Sequence, residues 1–221
     1  MLAAHCPSAV LCLLLACTAL TTAAAAGSSD AGSGRGSWRK PGFCGNMDCP
    51  EYTVWQKNFD FQVREYREAA WVAVNVSGVR YELAVKAALP LLSQYFWGAN
   101  KEGLRLQETV PLVTHYRLDV HPHTGERRTY SVFWFIPYEY QAEPPEPSHP
   151  ALWLYRSPAN ATMFVRMFGH HAREWRVPSG VLVASYNHPS KHHPHLPRRY
   201  HHSEVWMRGT FNKSAPPPPA R

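Results

Sequence analysis

The stretch Tyr130 to Pro137, "YSVFWFIP", constrains the fold most. On a strand, Tyr130, Val132, Trp134 and Ile136 share one face while Ser131, Phe133 and Phe135 share the other. Both faces are largely apolar, so this strand must be covered twice, by a barrel interior on one side and by a helix on the other. Pro137 cannot donate to a ladder and ends the pairing, and the following "EPPEP" carries the chain across the surface.

The rest of the chain supplies the partners. "YTVWQKNFDFQVREYREAAWVAVNV" reads as two or three short strands with alternating polarity, and "GVRYELAVKAALPLLSQYFWG" as a helix stopped by Gly98 and interrupted or kinked by Pro90. "LRLQETVPLVTHYRLDV" and "RRTYSVFWFIPYEY" read as strands joined by the turn "HPHTGE". "LWLYRSPANATMFVRMFG" restarts the strand pattern, and "HHAREWRVPSGVLVASY" is expected to form a second helix. "FQVREY" and "MFVRMF" form a faint internal repeat. Together these predict an α+β domain, a mostly antiparallel sheet closing toward a barrel with two flanking helices.

The termini read differently. Residues 9–20 form an apolar run too short to span a bilayer, followed by an Ala24-x-Ala26 site, so residues 1–26 are expected to be a signal peptide, with a membrane anchor as the alternative. No second apolar run of spanning length follows, and stable membrane insertion is not expected. Residues 27–43 are a Gly/Ser-rich flexible lead-in, residues 44–210 the folded domain, and residues 211–221 a disordered Pro-rich tail. Removing the leader leaves Cys44 and Cys49, a close pair that an exported chain would oxidise. Sequons at Asn75, Asn160 and Asn212 agree with secretion as a glycoprotein. If Val72, Val74 and Val76 face the core, Asn75 faces outward.

The net charge of +7 favours acidic partners, among them carboxylate-bearing ligands. Neither a dense Lys/Arg block nor an aromatic-basic repeat points to nucleic acid. No GxSxG, HExxH or Gly-rich phosphate loop points to an enzyme.

Three segments in order, "ALPLLSQYFWGANKEGLRLQETVPLV", "FWFIPYEYQAEPPEPS" and "MFVRMFG" closed by "SEVWM", resemble the SOUL haem-binding family, over about Cys49 to Met207. Thr109-Val110-Pro111, Ile136-Pro137 and Pro144-Pro145 carry the resemblance. It implies a distorted antiparallel β-barrel built from a duplicated β-α-β unit, and a monomer that binds haem or a related tetrapyrrole non-covalently. It places the porphyrin on the first helix, at Lys86, Leu89 and Gln94, where Lys86 supplies a cation, Leu89 apolar contact, and Gln94 stands where the family has a lysine. Two departures stand out. Glu65 in "VREY" occupies the place of a proposed family histidine ligand, and "HPSKHHPHLPRRYHHSEVW" replaces a Tyr-Gly-Pro loop. The cluster His188, His192, His193, His195, His201 and His202, with His170 and His171 upstream, offers imidazoles to zinc, copper or haem iron, although its spacing fits no rigid ligand template. Three functions stay open on the sequence: a secreted tetrapyrrole binder, an extracellular interaction protein on the same scaffold, or a His-rich metal binder.

Overall fold

The computed structural model describes residues 38–121, 125–168, 180–187 and 202–214. Among these residues nine strands form one antiparallel sheet: β1 (Tyr52–Lys57), β2 (Gln62–Tyr66), β3 (Ala69–Ser77), β4 (Leu112–His121), β5 (Gly125–Phe135), β6 (Leu152–Ser157), β7 (Ala161–Phe168), β8 (Leu182–Ser185) and β9 (Ser203–Arg208). Their order across the sheet is β1-β2-β7-β9-β8-β4-β5-β3-β6, with one helix, α1 (Tyr81–Phe96), inserted between β3 and β4 in the chain.

The two-faced strand is β5, and both of its faces are covered. Val132 and Trp134 join Val72, Val74, Leu112 and Leu152 in a core beneath α1, which contributes Ala88, Leu92, Tyr95 and Phe96. The Phe96 and Trp134 rings lie 4.3 Å apart. Phe133 and Phe135 turn the other way and pack with Trp71, Val113, Tyr66 and Trp206. Pro90 lies inside α1 without ending it; its ring is exposed, on the side away from the sheet. Gly98 stops the helix at φ +107°, a conformation that disfavours any side chain.

The motifs that carry the family resemblance are structural clasps. The Thr109 hydroxyl donates to the Phe135 carbonyl, and Trp134 Nε1 donates to the Thr109 carbonyl at 3.0 Å. Val110-Pro111 is a cis peptide. The Tyr95 hydroxyl donates to the Pro145 carbonyl at 2.7 Å, fastening α1 to the Pro-rich crossing.

Several expectations need correction. Of the segment expected to hold a second helix, residues 170–179 lie outside the described residues, and Leu182–Ser185 form a strand paired to β4 and β9. The β-branched run "VLV" favours a strand once two neighbours offer free edges. Among the described residues α1 is the one α-helix, so two flanking helices are not found there. The repeated segments lie side by side as antiparallel neighbours, with Val63 opposite Phe164 and Arg64 opposite Met163; the residues that follow the second of them, 169–179, lie outside the described residues. Residues 104–111 run irregularly before β4 begins. Residues 122–124 of the "HPHTGE" turn lie outside the described residues.

The sheet is curled into a half-barrel. Laid flat, β2 and β6 would stand seven strand spacings apart, roughly 34 Å. Yet Tyr66 of β2 and Tyr155 of β6 line the same cavity. Outside the sheet, residues 38–50 close over the concave face, where Trp38, Phe43 and Met47 pack against the buried Cys44–Cys49 disulfide, whose Cα atoms are 6.2 Å apart.

A concave aromatic cavity as the candidate functional site

Register fixes which side chains face inward. Leu182 on β8 stands opposite Trp206 on β9 and opposite His115 on β4, and His115 in turn is opposite Ser131 on β5. Val113 is opposite Phe133, Trp71 opposite Tyr155, and Tyr66 opposite Ala161. Because strand side chains alternate, these residues project from one face, and the curl gathers them round a cavity of about 220 Å³. Tyr66, Trp71, Phe133, Tyr155 and Trp206 supply its aromatic wall. Arg67, Arg208, His115 and Ser157 bring polar atoms to that wall. Such a composition, apolar with a few polar groups, is that of a small-molecule site.

The polar groups differ in what already holds them. Arg67 is well exposed and ion-paired to Glu51 at 2.6 Å. Arg208 is exposed and has no side-chain partner among the described residues. The His115 imidazole is half-buried and makes no hydrogen bond among the described residues. Burial, and then the positive charge of Arg117, push its pKa below the usual histidine value, so the ring is neutral near pH 7.

Beside the cavity lies a sealed polar network. Arg64 donates to both carboxylate oxygens of Glu204, at 2.9 and 3.0 Å, and to the Tyr66 hydroxyl at 3.1 Å, while its guanidinium lies 4.2 Å from the centre of the Tyr52 ring. Trp206 Nε1 donates to Glu204 at 2.8 Å, and His202 Nε2 contacts the same carboxylate at 2.9 Å. Burial alone would raise the Glu204 pKa, but the bonds from His202, Arg64 and Trp206 outweigh it and hold the carboxyl below its usual range. Burial likewise raises the Tyr66 phenol far above its ordinary value, keeping it protonated.

The residues singled out in the sequence are dispersed. Lys86 and Gln94 are exposed on the outer side of α1, and Leu89 is half-buried, packed against the core beneath the helix. All three lie on the opposite side of the sheet from the cavity. Leu83, 49 % exposed, and Trp97, 57 % exposed, extend that outer surface. Glu65 alternates with the inward-facing Arg64 and Tyr66, so it points away from the cavity, and it is ion-paired to Lys213. His202 is committed to Glu204 and stacks on Phe43 with ring centres 3.9 Å apart. His170, His171, His188, His192, His193, His195 and His201 lie outside the described residues. Among the described residues no group of three or more His, Cys, Asp or Glu side chains could hold a metal ion.

Asn75 is exposed with Val72 and Val74 buried on the opposite face, and its Oδ1 accepts from the Ser131 hydroxyl at 2.7 Å. Asn160 is exposed at a turn with φ +59°, and Asn212 is exposed with its Oδ1 accepting from the Ser214 amide.

Sequence reasoning missed the cavity residues. The strand phases were legible, but not which strands would become neighbours. His115 and Trp206 stand 91 positions apart, and only the non-sequential strand order brings them together.

Comparison with known proteins gives a family and its relatives. The SOUL heme-binding protein family model matches residues 47–208. Heme-binding protein 2 of Homo sapiens is 30 % identical over 110 residues, covering 49 % of this chain and 51 % of that protein. Heme-binding protein 2 of Mus musculus is 28 % identical over 49 % of this chain and 51 % of its own length. Heme-binding protein 1 of Xenopus tropicalis is 29 % identical over 52 % of this chain and 58 % of its own. The chain thus spans about half the length of the curated relatives it matches.

Proposed function

This chain belongs to the SOUL heme-binding protein family, and we propose that it binds haem or a related tetrapyrrole without a covalent bond. The observation that carries this reading is the concave cavity itself, five aromatic side chains with two arginines beside them. A porphyrin is a flat apolar disc bearing carboxylates, so it fits an aromatic wall next to guanidinium groups. Burying about 300 Å² of such a ligand contributes on the order of 7 kcal/mol before the ordering costs of binding are subtracted. Trp71 and Trp206 line the cavity, so bound haemin quenches tryptophan emission saturably. Emission that falls only in proportion to added haemin, with no saturation, contradicts the reading.

A second placement on the same protein is favoured by the outer side of α1. There Leu83 and Trp97 are exposed beside Lys86 and Gln94, an apolar surface with a cation to meet a propionate. Leu83→Asp weakens tetrapyrrole binding if this surface holds the ligand and leaves it unchanged if the cavity does. The same stripe would serve an interaction protein that had lost its ligand.

We also infer that the chain is a secreted glycoprotein. Supporting this are the leader pattern of residues 1–26, the Cys44–Cys49 disulfide, and the exposure of Asn75, Asn160 and Asn212. Among the described residues no helix is long and apolar enough to cross a membrane.

A further inference from the structure

We propose that the His115 imidazole is the protein ligand through which the concave cavity holds haem iron, with Arg67 and Arg208 beside the carboxylates. This rests on the tetrapyrrole reading above and adds to it a site and a coordinating atom.

Two observations converge on His115. It lines the cavity from the middle of the wall: β4 lies between β8 and β5, and His115 is flanked in register by Leu182 and Ser131. Its ring nitrogens are uncommitted among the described residues, unlike those of His202, which is held by Glu204 and Phe43.

The other lining atoms that could ligate iron are weaker choices. Met163 offers a thioether, a soft donor suited to reduced metals rather than to ferric iron. The Tyr66 phenol accepts from Arg64 and is held protonated by burial. Tyr155 and Ser157 are the remaining oxygen donors on the wall, and the Ser157 hydroxyl is held by the Ala69 backbone. Neutral imidazole is a common haem-iron ligand, and His115 is held neutral where it stands.

The test compares two porphyrins on full-length secreted protein, wild type and His115→Ala. Haemin uses an axial ligand; metal-free protoporphyrin IX does not. The expected result is that His115→Ala weakens haemin by about tenfold or more, shifts its Soret maximum, and leaves protoporphyrin IX affinity unchanged. Added imidazole then restores the wild-type spectrum. Equal haemin affinity and spectrum in wild type and variant would overturn the proposal while leaving the tetrapyrrole reading intact, and a spectrum that changes only in Tyr155→Phe would do the same. Equal weakening of both porphyrins also overturns it, because that is loss of the cavity rather than of a ligand. If the wild type binds neither porphyrin, the tetrapyrrole reading fails and the proposal with it.

Discussion

Arg64 and Glu204 meet as a two-pronged ion pair across 140 residues of sequence, each side chain almost wholly sealed from solvent at 1 % and 0 % exposure. The pair bridges β2 and β9, strands separated by β7, and it borders the cavity through Tyr66 and Trp206. Removing one partner leaves a buried charge unmatched. Glu204→Gln or Arg64→Met is therefore expected to cost about 3–5 kcal/mol in urea unfolding, and the Arg64→Met/Glu204→Met double variant less than either single change.

The same carboxylate sets an acid limit on stability. Its folded pKa lies below the unfolded value, so its contribution is complete above about pH 4.3 and is lost as pH falls from there through the folded pKa. Wild type is expected to lose stability over that acid window more steeply than Glu204→Gln, measured as unfolding midpoints from pH 6 to pH 3. Parallel profiles would contradict this.

How much of this was legible in the sequence depended on range. The alternation in "YSVFWFI" gave β5 and its two covered faces, because a strand's phase is local. The "WVAVNV" alternation similarly put Val72 and Val74 on a core-facing side, which the structure shows packed beneath α1. Pro90 was readable as a strain on α1 but not as one the helix absorbs, since its tolerance depends on how the surrounding helix and core hold it. The Arg64–Glu204 pair and the cavity were not legible, because β2 and β9 come close only through β7, an order no local pattern encodes. "VLVAS" was read as helix because the neighbours that make it a strand, β4 and β9, are distant in the chain.

The Cys44–Cys49 disulfide is buried and closes a small loop in which Gly45 and Asn46 are exposed. In the chain-entropy model such a loop stabilises by about 2 kcal/mol. Thermal unfolding with and without reductant is expected to show a lower midpoint for the reduced protein, and a Cys44→Ser/Cys49→Ser variant that no longer responds to reductant.

Along α1, exposure separates binding effects from folding effects. Leu83 and Lys86 face solvent, so Leu83→Asp and Lys86→Ala are expected to change unfolding free energy by no more than about 0.5 kcal/mol. Leu92 is fully buried beneath the helix, and Leu92→Ala is expected to cost about 2–5 kcal/mol. Denaturant titration of the three variants checks the contrast, and a large loss in Leu83→Asp would contradict the placement of that side chain.

If the chain is exported, Asn75, Asn160 and Asn212 are the acceptors, each exposed. Protein recovered from the medium of a secreting eukaryotic cell is expected to begin near Gly27 and to lose mass on treatment with an N-glycosidase. An intracellular product of unchanged mass would contradict secretion.

The central claim is that the half-barrel is a tetrapyrrole-binding protein, and an equilibrium titration of haemin into the purified protein, followed at the Soret band, tests it most directly. The account predicts a band that saturates at one haemin per chain. Absorbance that rises linearly, identical to haemin added to buffer or to unfolded protein, would contradict it.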